Sequence, residues 1–108
     1  MTSSVNPNVA GVGSLDVPSN AVISTNVTTV LKTGIGWLLG VAATIPGTGS
    51  TLTIFDNTVA AGNVLIPGLA TVVVGLLGGI PSGGIPFLNG LTVVTAGAAP
   101  ATVLVSFK

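Results

Sequence analysis

The chain has no cysteine, histidine, arginine or tyrosine, and only four of its 108 side chains carry charge. Without cysteine there is neither a disulfide framework nor a thiolate metal site. Without histidine, the many serines and threonines have no imidazole to activate one of them as a nucleophile. Two lysines, Lys32 and Lys108, are the whole basic complement. That is too little positive charge to neutralise a run of phosphates, so no nucleic-acid partner is expected. A polybasic anchor to anionic lipid is excluded by the same count. The carboxylates are Asp16 and Asp56, one in a leading segment and one at the end of an alternating run. A two-carboxylate glycosidase site is formally open to them, but nothing else in the sequence supports it.

Charge is also scarce as a fraction. Charged residues make up 4% of the chain, against roughly 25% in ordinary soluble domains. None falls between Asn57 and Phe107, and the mean hydropathy is +0.97. With zero formal net charge, little electrostatic repulsion keeps one copy from another. Such a chain belongs either in lipid or in an assembly that covers much of its surface. No secretory leader is expected: no basic residue precedes an apolar run, and Pro7, Gly11, Gly13 and Pro18 interrupt the first residues.

Two regions follow from the pattern. Residues 1–21 form an arm rich in Ser, Asn, Pro and Gly without periodicity, and residues 22–108 form one domain. The arm either lies along a partner surface or packs on its own domain. The domain reads as short alternating or apolar runs between turn residues. "VISTNVTTVLK", Val22 to Lys32, reads as one strand with Ile23, Thr25, Val27, Thr29 and Leu31 on one face. In "GWLLGVAATI", Trp37, Leu39, Val41 and Ala43 share a face. "STLTIFD" sets Leu52 and Ile54 against Thr51, Thr53 and Phe55. "FLNGLTVVT" predicts a hairpin turning at Asn89-Gly90. "ATVLVSF" places Val103, Val105 and Phe107 opposite Thr102, Leu104 and Ser106. Seven or eight strands result, the grammar of a sandwich or small barrel.

The longest apolar stretch is Val64 to Ile80, "VLIPGLATVVVGLLGGI". Its 17 residues reach the lower end of the about 17–25 that cross a bilayer, and Gly75 and Gly79 have the spacing of close-packed membrane helices. Pro67-Gly68 and the β-branched block Thr71 to Val74 argue against a helix. No Lys, Arg or Trp flanks it to set its depth. The expectation is a strand pair or one bent strand, largely buried, with no membrane partner.

Short motifs add no chemistry. "DNT", Asp56 to Thr58, lacks the acidic density of a calcium loop and reads as a turn cap. "GTGST", Gly47 to Thr51, lacks the lysine and helix of a phosphate loop. Asn26-Val27-Thr28 matches a glycosylation acceptor only in a secreted protein. Lys32 reads as a solvated strand-end charge, and Trp37 as a core or subunit-contact residue. No cofactor, metal or small-molecule substrate is expected, and no enzymatic activity.

Three stretches carry a resemblance: "LKTGIGWLLGV", "TLTIFDNT" and "GIPFLNGLTVVTAGAAPATVLVSF". They contain a Lys-x-Gly-x-Gly turn (Lys32 to Gly36), a Phe-Asp-Asn corner (Phe55 to Asn57) and a Gly-Leu-x-Val-Val strand (Gly90 to Val94). From about Val27 to Lys108 the chain resembles small all-β virion proteins of tailed bacteriophages, departing from them at Pro67 to Gly84. The resemblance implies a jelly-roll-like antiparallel β-sandwich, often a homotrimer, seated on or between major capsid (coat) subunits of the virion after assembly in the host cytoplasm. It implies a capsid decoration or cement protein; the alternatives are a head-fibre or tail-tip module that binds a host surface, and a small membrane protein. The arm would then reach across neighbouring coat subunits through Val5, Val9, Val12 and Leu15. In the domain, Trp37, Leu39, Val72, Val74, Leu76 and Phe87 are the candidate oligomer or capsid contacts.

Overall fold

In "TLTIFD" every second side chain is apolar or able to be buried, and this run forms a regular strand with Leu52, Ile54 and Asp56 buried. A strand of that pattern needs a second layer to cover its apolar face. A computed structural model of the chain, describing residues 18–76 and 80–108, supplies that layer. Nine strands are described: β1 Ser19–Ile23, β2 Thr28–Thr33, β3 Gly36–Ile45, β4 Thr51–Asp56, β5 Asn63–Ala70, β6 Gly75–Leu76, β7 Ile85–Phe87, β8 Gly90–Ala96 and β9 Thr102–Phe107. No helix occurs among the described residues.

The strands form two sheets with every pairing antiparallel. One runs β1-β9-β3, with β6 and β7 together lining the far edge of β3; the other runs β2-β8-β4-β5. The pairs are nested: β1 with β9, β2 with β8, β3 with β6 and β7, and β4 with β5. The chain is therefore a long hairpin rolled so that successive pairs alternate between the layers. Leu38, Val41, Phe87, Val103 and Val105 of the first sheet meet Leu52, Ile54, Ile66, Leu91 and Val93 of the second in one core. The chain is thus an all-β sandwich of two antiparallel sheets.

The structure departs from the sequence reading at four places. Val22 to Lys32 is two strands in different layers, and the first already begins at Ser19, inside the expected arm. The break at Thr25-Asn26 is held by tertiary bonds: the Thr95 hydroxyl donates to Thr25 O at 2.7 Å and Asn26 Nδ2 donates to Gly97 O at 2.9 Å. In β3, Leu39 has no partner on β9, since Leu38 faces Phe107 and Gly40 faces Ser106. This bulge shifts the alternation by one residue, so Leu38, Val41 and Ala43 are buried while Trp37 points out. Asn89-Gly90 does not turn a hairpin: β7 lies in one sheet and β8 in the other. The stretch from Val64 is also two strands in different sheets, and Val72, Val73, Val74 and Leu76 are exposed rather than buried.

Candidate interaction surface

The rolled hairpin gives the sandwich two ends of opposite character. One gathers the loops β2–β3, β4–β5 and β7–β8, the other the loops β1–β2, β3–β4, β5–β6 and β8–β9. All the charged residues among those described lie at the first end: Lys32 near the close of β2, Asp56 closing β4 and Lys108 following β9. The second end, residues 24–27, 46–50, 71–74 and 97–101, has no charged residue.

Asp56 shows what the charge at the first end does. Its carboxylate accepts the N–H of Leu88 (3.0 and 3.2 Å to its two oxygens) and of Asn89 (2.8 Å), clamping the crossover from β7 to β8. A buried carboxylate is tolerable when donors surround it. The turn-cap reading of "DNT" therefore holds in kind, although the segment capped lies more than 30 residues along the chain. Asn57 contributes its carbonyl to the Thr92 hydroxyl at 2.7 Å. Each of these hydrogen bonds has a backbone group on one side. Among the described residues no three His, Cys, Asp or Glu come together.

At the uncharged end the loops are tied down by polar pairs beneath an apolar exterior. The buried Thr71 hydroxyl donates to Ser50 Oγ at 2.7 Å, Thr71 N–H donates to Ser50 O at 2.9 Å, and Gly47 N–H donates to Thr71 O at 3.1 Å. Gly97 passes so close that a Cβ there would fall 2.5 Å from Gly49 O, and its φ of +134° also favours glycine. From this fixed base Val72, Val73 and Val74 project outward, 43%, 68% and 59% exposed. Leu76 follows at 88% and Ile45 lies close by, because Gly75 pairs Ala43 two residues before Ile45. The apolar surface continues onto the outer face of the first sheet, where Val22, Leu104, Ala42 and Leu76 stand directly opposite one another across four strands.

Comparison with family models, curated proteins and solved structures finds no match to this chain.

Of the candidate contacts, Val72, Val74 and Leu76 come together at the uncharged end. Trp37 is 42% exposed, beside Pro86 at the charged end, and Leu39 is half-buried at the bulge. Phe87 is wholly buried under Gly36, so it belongs to the core and offers no contact surface. Val5, Val9, Val12 and Leu15 lie outside the described residues. The sequence reading missed Val22, Ile45 and Val73 as exposed. Ile45 carried a signal, since it directly precedes the Pro46-Gly47 turn; Val73 carried none, because a valine in a strand and one in a loop look alike.

Proposed function

We propose that this chain is a structural protein of a virion, a capsid decoration or cement protein without enzymatic activity. The observation that carries the reading is a mismatch between surface and solvent. Thirteen large apolar side chains are exposed among the described residues, against three charged residues in the same segments. Scattered exposed apolar residues are ordinary, but a contiguous group of them rimmed by polar loops marks a contact site. The nested pairing of strands supports describing the sandwich as a jelly roll, and the resemblance of Val27 to Lys108 to phage virion proteins supports the setting. Coat subunits and further copies of the chain, in a homotrimer, are the partners. The protein stabilises the particle by adding buried area across subunit junctions, and its uncharged surfaces do so with few charges to desolvate.

Incubating the purified chain with preformed particles lacking it, then pelleting and heating them, tests this. The chain is expected to sediment with the particles and to raise the temperature at which they release genome. A chain that stays in the supernatant would refute the reading. A head-fibre or tail-tip component is the second reading, favoured by exposed Trp37, Ile35 and Leu88 at the charged end. Binding of the free chain to host cells or glycans would select it.

A further inference from the structure

We infer that the uncharged end of one copy is covered by residues 1–17 of a neighbouring copy, so that the leading segment links copies head to tail. The inference rests on the reading of the chain as an assembly component. Three observations carry it. Strand β1 runs from Ser19, opposite Phe107 at the charged end, to Ile23, opposite Val103 toward the uncharged end. Pro18 and Ser19, where the leading segment joins the domain, therefore lie at the charged end, opposite the end that carries their own Val72–Leu76 surface. Length is ample: 17 extended residues span about 55–60 Å, while the ten-residue β3 spans about 33 Å.

Chemistry also matches. Residues 1–15 carry no charged side chain and supply Val5, Val9, Val12 and Leu15. Laid on Ile45, Val72, Val73, Val74 and Leu76, they bury no unpaired charge. The one charge of the segment, Asp16, sits three residues before Ser19, whose strand partner Phe107 immediately precedes Lys108.

The absence of cysteine makes the test clean. Val9→Cys and Val73→Cys chains are purified separately, mixed and oxidised. A disulfide-linked pair containing one of each is expected, and Val59→Asp, at the opposite end, leaves its yield unchanged. In a second arm, residues 1–17 are deleted; among the described residues the core cluster lies between Ile23 and Val105, and an unchanged β-sheet circular dichroism spectrum is the check that the truncated chain keeps its fold. The truncated chain is expected to be monomeric and to bind a peptide of residues 1–17, with Val73→Asp weakening that binding at least roughly tenfold. An intramolecular disulfide in the Val9→Cys/Val73→Cys chain, with no mixed pair, would show the segment covering its own copy and overturn the inference. Oligomers that survive the deletion would overturn it too, leaving the assembly reading intact. A full-length chain that stays monomeric at all concentrations and fails to join particles would end both.

Discussion

Asp56 is a carboxylate whose work is structural: it holds two backbone N–H groups of the β7–β8 crossover. Asp56→Ala leaves those donors without their acceptor. The expected loss is about 1–3 kcal/mol, read as a lower urea midpoint with an unchanged slope. Gly97 is constrained from two directions, by its φ of +134° and by the backbone of Gly49 and Ser50 against it. Gly97→Ala is therefore expected to destabilise by more than the roughly 1 kcal/mol of a simple glycine effect, measured in the same titration. Asp56 was visible in the sequence as a turn cap. What it and Gly97 hold was not, because their partners lie on segments distant in the chain.

At the scale of strands, inward and outward positions should respond differently to the same substitution. Leu52 is fully buried on β4, and Leu52→Ala is expected to lose about 2–5 kcal/mol. Leu76 on β6 is 88% exposed, and Leu76→Ala is expected to stay within about 0.5 kcal/mol in the isolated chain. Equal losses at both positions, in thermal or urea unfolding, would mean that Leu76 is buried within the chain. Regular strands such as β4 and β9 were legible because their alternation is unbroken. The faces of β3 were not, because a bulge at Leu39 resets the period and one extra residue leaves no mark in composition.

For the whole molecule, the distribution of charge sets how the proposed association would respond to salt. With no charged residue at the end that carries Val72 to Val74, the proposed contact there would be apolar and not ionic. Raising salt roughly tenfold should leave self-association unchanged or strengthen it, where an ion-pair interface would weaken as the Debye length shortens. Light scattering across a salt series reads this directly, and dissociation at high salt would contradict the apolar assignment. Of the candidate surface, the sequence pointed to Val72, Val74 and Leu76. It did not join them to Ile45 and Val22, which arrive from other strands.

The sequence by itself determined the class of fold and the chemistry that is missing. Alternating runs between Gly and Pro turns can satisfy their backbone only as sheet, and a chain without histidine or cysteine lacks the groups that much of catalysis requires. Tertiary structure alone decided which layer each strand joins, why Val22 to Lys32 breaks at Asn26, and that Val73 faces outward. The reason is physical. Alternation states that two faces differ, but burial depends on whether another segment arrives to cover a face, and that segment comes from elsewhere in the chain.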